Sequence, residues 1–158
     1  MSQTALPVRP PAVAGYFYPA EPARLRGQVE AMLEQARADL AGAGDGRVGT
    51  GPSGLAALIV PHAGYVYSGP TAARAWALAG SLRGRLRRVV MLGPTHRVGV
   101  RAMALPGCRA MDTPLGAVEV EVPPQLAALE EEGLVVTRPD VHVTKRSEER
   151  RVGKECRS

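Results

Sequence analysis

The chain has 158 residues, 45% of them apolar and 22% charged, and a formal net charge of +5. This balance fits a soluble globular domain with a real core; no apolar run is long enough to span a bilayer, and Pro7, Pro10 and Pro11 interrupt what would have to be a signal peptide. Residues 146–158 alone carry five basic and three acidic side chains, so +2 of the +5 sits there and the +3 left is too little for a nucleic-acid surface. The expectation is a cytoplasmic domain with no nucleic-acid or membrane partner.

In chain order, residues 8–19 (VRPPAVAGYFYP) read as an extended, proline-punctuated segment carrying Tyr16, Phe17 and Tyr18 in succession. From Pro22, the apolar residues Leu25, Val29, Met32, Leu33, Ala36 and Leu40 recur at spacings of three and four, which predicts a helix that covers a sheet and stops at Gly42. Residues 42–54 hold six glycines and no hydrophobic period, so they read as a loop.

Two aliphatic runs follow, residues 55–60 (LAALIV) and 89–92 (VVML), each ending at Pro or Gly in the manner of strands buried on both faces. Between them a helix is predicted from near Pro70, where Ala72, Ala73, Ala75, Ala77 and Ala79 give high propensity and a narrow packing surface. Strand, helix and strand together read as a βαβ unit. Its right-handed crossover brings the loops after both strands out at the same end of the sheet, where open α/β sheets bind ligands. Arg83, Arg85, Arg87 and Arg88 read as a solvated turn before the second run.

Farther on, residues 102–105 and 117–122 read as short strands separated by MDTPLG. Pro123 and Pro124 open a helix through Leu126, Leu129 and Glu132 that stops at Gly133, and residues 134–136 start another strand. The predicted fold class is α/β, a mostly parallel or mixed sheet flanked by helices, in a single domain over residues 1–145. Residues 146–158 (RSEERRVGKECRS) break with every earlier pattern. They resemble the translation of a sequencing-library adapter and read as a non-native tail. Without them Cys108 is the only cysteine, which leaves no disulfide framework and suits a reducing compartment.

The candidate chemistry gathers after the two aliphatic runs. His62 follows the first in PHAGYVYSGPTAA and His96 follows the second in GPTHR. Adjacent strand axes lie about 5 Å apart, so imidazoles on two neighbouring strand ends are within reach of one metal ion, and imidazole is the commonest nitrogen ligand for zinc, copper and iron. A third donor is still required. Tyr16, Phe17, Tyr18, Tyr65 and Tyr67 are five of the six aromatic residues and cluster beside these motifs. With Gly64 and Thr95, the tyrosines Tyr16, Tyr18, Tyr65 and Tyr67 are the candidate walls of a pocket, although packing of the N-terminal segment explains the aromatics equally well. Neither GPTH nor GYVYSG has Walker spacing, Ser68 lacks a G-x-S-x-G frame, and Cys108 in its Pro-Gly-Cys turn reads as a small buried or half-buried residue.

The segments VAGYFYP, PHAGYVYSGPTAARA, LGPTHR and DTPLG, in this order and at these distances, resemble the Memo family, whose bacterial and archaeal members are often called AmmeMemoRadiSam system protein B. The resemblance runs over residues 8–142. It implies a fold similar to the class III extradiol ring-cleaving dioxygenases, whose relatives hold non-haem iron with two histidines and a carboxylate, an analogy of fold. It also implies that His62 and His96 are the first two ligands of the family's metal pocket, with iron or copper as the metal. The third family ligand, a cysteine far downstream, has no counterpart here, since neither Cys108 nor Cys156 matches its position. The family continues after a histidine like His142 with a Glu-His-Ser-Leu-Glu-like stretch, where this chain reads KRSEE at residues 145–149. The resemblance therefore implies a truncated, inactive N-terminal half of a metal-dependent oxidoreductase-like parent with an unidentified substrate. The alternative is a non-catalytic module that binds a small ligand or peptide in the same pocket. Radical-SAM and AMMECR-type partners are implied by family context alone.

Overall fold

The computed structural model describes residues 7–42 and 55–142. The readings of residues 43–54 as a loop and of residues 146–158, including Cys156, as a tail lie outside the described residues. The chain divides into two compact units, Ala14–Met91 and a second made of Met1–Val13 with Leu92–Ser158.

The unit Ala14–Met91 is built on two helices. Helix α1 spans Pro22–Gly42, as the three-and-four spacing predicts. Its start follows from local chemistry: Pro22, with no N–H to satisfy, occupies the first helical position, and the Glu21 carboxylate accepts hydrogen bonds from the Ala23 and Arg24 backbone N–H groups at 2.9 and 2.6 Å. Helix α2 spans Tyr65–Ala79 and starts ahead of the expected position near Pro70. The displaced start has a physical reason. The Tyr65 N–H donates to the Phe17 carbonyl at 2.8 Å, and the Tyr67 and Ser68 N–H groups donate to the Gly64 carbonyl, so the turn before Pro70 already has partners for its donors. Pro70 then sits inside the helix, where it supplies no N–H to the Val66 carbonyl.

The two helices pack on each other, burying Leu25 and Ala36 of α1 and Ala73 and Ala79 of α2. The small side chains of α2 permit a close approach. At Gly69, a Cβ atom would stand 2.5 Å from Met32 Sδ. At the periphery of the same pair, Arg74 Nη2 meets Asp39 Oδ2 at 2.8 Å.

The second unit carries the sheets. Strands β1 (Val8–Arg9), β3 (Ala110–Met111) and β4 (Val118–Glu119) form a mixed sheet in that order, β1 parallel and β4 antiparallel to β3. Strands β2 (Met103–Leu105) and β5 (Val135–Thr137) form a parallel pair, registered Met103 to Val135. The DTPLG motif closes the β3–β4 hairpin, with Thr113 Oγ1 donating to the Gly116 carbonyl at 2.7 Å and accepting from the Leu115 N–H at 3.1 Å. Short helix α3 (Leu126–Glu131) leads back to β5. Buried Cys108, Ala110 and Val135 mark the interior of this unit, and Cys108 carries no disulfide. The fold is thus α/β with mixed and parallel sheets and helices.

The prediction for the two aliphatic runs needs correction. Residues 55–60 and 89–92 form no strand, and Ile59, Val89, Val90, Met91 and Leu92 are exposed. Their aliphatic side chains suit a strand, but a strand exists only by hydrogen bonding to a neighbour, and no described segment pairs with either run. The predicted βαβ unit is therefore represented by its helix and not by its strands. Residues 117–122 are likewise reduced to the two residues of β4, whose Val118 is exposed.

Candidate functional site

The predicted site residues fall in both units. Tyr16, Tyr18, His62, Gly64, Tyr65 and Tyr67 belong to Ala14–Met91, whereas Thr95 and His96 belong to the unit that includes Leu92–Ser158.

In the first unit, His62 is exposed on the short connection that enters α2. That connection is strapped to the helix by Ser68, a buried residue whose hydroxyl donates to the Ala63 carbonyl at 2.8 Å and also reaches the Gly64 carbonyl at 3.4 Å. Gly64 runs close beneath residue 17: a Cβ there would lie 3.4 Å from the Phe17 carbonyl oxygen. The aromatic segment is folded on itself, with the Gly15 N–H donating to the Tyr18 carbonyl at 2.7 Å. The backbone bond from Tyr65 to Phe17 ties it to the helix, and the Tyr18 and Tyr65 rings meet at 5.7 Å between centroids, tilted by 44°.

These contacts produce an open, largely apolar cavity of about 460 Å³. Of the six residues predicted as its walls, Tyr16, Tyr18 and Tyr65 line it, and Gly64, Tyr67 and Thr95 do not. Tyr67 is 85% exposed. Phe17 and Val66 add apolar surface, while Glu21, Arg24 and Gln28 of the α1 start supply the polar lining. The Ala23 and Arg24 N–H groups on its carboxylate, with the nearby Arg24 charge, hold Glu21 below the ordinary carboxylate range. The cavity thus offers aromatic walls with one carboxylate and one guanidinium, a surface for a small ligand with an apolar body and a polar end.

Several of these contributors were not apparent from the sequence. In the sequence Ser68 is a serine without a nucleophile frame, and its strap role has no signal beyond a serine in the first turn of a helix. Glu21 was legible in principle, as an acidic residue immediately before Pro22.

In the second unit, Thr95 and His96 are exposed in the irregular stretch between Leu92 and β2. Elsewhere in this unit, Arg9 Nη1 donates to the His142 carbonyl at 2.8 Å, and His142 Nε2 lies 3.0 Å from the Ala104 carbonyl, so this histidine stitches the end of the described chain to β2. Among the described residues no group of three or more His, Cys, Asp and Glu side chains is placed to hold a metal ion. His62 and His96 are suitable imidazole donors, but the described residues do not make up a complete ligand set for iron or copper.

The described residues thus combine helices with mixed and parallel sheets, with one histidine just before α2 and a second in a Gly-Pro-Thr-His stretch. The model of the Memo-like protein family matches residues 9–149. The chain belongs to the Memo-like family. It is 41% identical over 115 residues to a MEMO1 family protein of Methanopyrus kandleri, covering 72% of this chain and 38% of that relative. A MEMO1 family protein of Pyrobaculum arsenaticum is 42% identical over 118 residues, covering 72% and 39%. One of Methanothermobacter thermautotrophicus is 33% identical over 151 residues, covering 89% and 49%. The chain therefore spans about half the length of these curated relatives or less.

Proposed function

We propose that this chain is the N-terminal half of a Memo-like metal protein, in which His62 and His96 supply two imidazole ligands to one iron or copper ion. The third ligand comes from sequence beyond the residues described here, and the half domain alone is inactive. The observation that carries this reading is that both histidines stand exposed, each within four residues of the end of an aliphatic run and each inside the family match. When bound, the metal would supply redox chemistry at open coordination positions, as in the extradiol dioxygenases whose fold the family resembles. The residues of this chain would hold the metal and bind the substrate, an unidentified small molecule. Tyr65 orients one side of the cavity through its ring contact with Tyr18, and Ser68 fixes the backbone that carries His62. The same reading places the protein in the cytoplasm, with radical-SAM and AMMECR-type proteins as its partners.

The test is an anaerobic titration with iron(II) and with copper(II) of the full-length protein that carries the third ligand, comparing the unmodified form with His62→Ala and His96→Ala. Each substitution should weaken binding at least about tenfold, the loss typical when a metal site is disturbed. Affinity unchanged in both variants would overturn the assignment.

A second reading is favoured by the cavity itself, whose lining residues all lie in Ala14–Met91 and include neither histidine. On that reading the protein is a non-catalytic module for a small ligand or peptide. Phenol and indole, tested by ligand-observed NMR in the presence of EDTA, should bind as well as without it and lose binding in Tyr65→Ala. A strict requirement for metal would reject this second reading.

A further inference from the structure

The cavity of the unit Ala14–Met91 is lined by polar groups that its own fold leaves unused. Gly15, at φ +81°, makes the turn that lets Tyr16, Phe17 and Tyr18 line one hollow beside the start of α1. Tyr16 and Phe17 stay 63% and 42% exposed, so these adjacent aromatics hold much of their surface open to a ligand and not against the protein's own packing.

The polar side of the lining is rich in free donors. Glu21, the one carboxylate there, is committed to the helix: its Oε1 accepts the Ala23 N–H and its Oε2 the Arg24 N–H. Arg24 and Gln28 stand one turn apart, at i and i+4 on one face of α1, and both line the cavity. Among the described residues neither the Arg24 guanidinium nor the Gln28 amide has a hydrogen-bond or ion-pair partner. Arg74 and Arg138, by contrast, close on Asp39 and Asp140 at 2.8 and 2.7 Å. A guanidinium offers donors only, in a planar fork that matches a carboxylate.

We propose that this cavity binds a small aromatic carboxylate, with its ring against Phe17, Tyr18 and Tyr65 and its carboxylate on Arg24 and Gln28. A cationic ligand fits less well, because Arg24 repels it and Glu21 already accepts two N–H bonds. One guanidinium balances a monoanion, so a carboxylate also fits better than a phosphate dianion. The proposal rests on the reading of this cavity as a binding site and does not depend on the metal.

The test is to titrate the 158-residue chain in EDTA at neutral pH with benzoate, benzyl alcohol, benzylamine and phenyl phosphate, by ligand-observed NMR. Benzoate should bind at least about threefold tighter than neutral benzyl alcohol, the scale of one partly exposed charged contact, and lose that advantage in Arg24→Gln and at high salt. Arg24 is exposed, so the helical circular dichroism of Arg24→Gln should be unchanged. Tyr65→Ala should weaken benzoate and benzyl alcohol alike. Equal binding of benzoate and benzyl alcohol, a preference for benzylamine, tighter binding of phenyl phosphate, or a benzoate advantage that survives Arg24→Gln would overturn the carboxylate assignment and leave the cavity reading standing. Failure of all four compounds and of phenol to bind would remove the cavity reading and the proposal with it.

Discussion

Gly69 offers a sharp test of how α1 and α2 are held together. Replacing glycine with alanine inside a helix ordinarily stabilises it by up to about 1 kcal/mol. Here that gain is opposed twice. Residue 69 precedes Pro70, whose ring crowds a Cβ on a helical neighbour. The new methyl would also stand 2.5 Å from Met32 Sδ and 3.3 Å from its Cε, against an ordinary contact of about 3.5–4.0 Å. Met32 is half-buried, and its flexible thioether end must shift to make room, which relieves part of the clash at the expense of its present contacts. Overpacking of this kind costs about 1–3 kcal/mol, and set against the helix-propensity gain it leaves Gly69→Ala destabilising by up to about 2 kcal/mol. Urea unfolding followed by circular dichroism reads the change directly. The cause is isolated by repeating the substitution in a Met32→Ala background, where the cost should fall by at least about 0.5 kcal/mol, the scale of coupling between touching residues. A stabilising Gly69→Ala, or an equal cost in both backgrounds, would refute the close-approach account.

Other consequences are as direct. Ser68→Ala removes the hydroxyl that straps the Ala63 carbonyl, and should cost about 0.5–1.5 kcal/mol in urea unfolding while speeding amide exchange around residues 61–64. Gly107 has φ +60°, and a Cβ there would meet Pro139 Cγ and Thr137 Cγ2, each at 3.0 Å, so Gly107→Ala should cost about 1–2 kcal/mol or more and loosen the end of β5. Hydrogen bonds hold three carboxyls below their usual range: Glu21 by the Ala23 and Arg24 N–H groups, Asp39 by Arg74 and Gln35, and Asp140 by Arg138. A folded pKa below the unfolded one means that the stabilisation is complete above the unfolded value and is lost as pH falls through the folded value. Thermal melts should therefore be level from neutral pH down to about pH 5 and decline below about pH 4, with a weaker decline in Asp39→Asn and at high salt.

The sequence was informative wherever structure is decided locally. The spacing of Leu25, Val29, Met32 and Ala36 set α1, the alanines set most of α2, and the segments around Met103 and Val135 became β2 and β5. It was uninformative about relations between distant segments. Composition states that residues 55–60 and 89–92 want neighbours, but not that any described strand supplies them. The pairing of β1 with β3 was equally hidden, since two residues carry no period. The start of α2 is hidden for a related reason: Phe17, far away in sequence, accepts the Tyr65 N–H. In the site, the tyrosines marked the cavity because aromatic residues are scarce in this chain, whereas its polar lining came from the cap of α1, a feature read for helix formation and not for binding.

In the proposed metal site, His62 and His96 ligate one ion. Electron paramagnetic resonance of the copper(II)-loaded full-length protein counts nitrogen ligands through their hyperfine coupling. It should report two imidazole nitrogens in the unmodified protein and one in each of His62→Ala and His96→Ala. A spectrum unchanged by either substitution would contradict the claim.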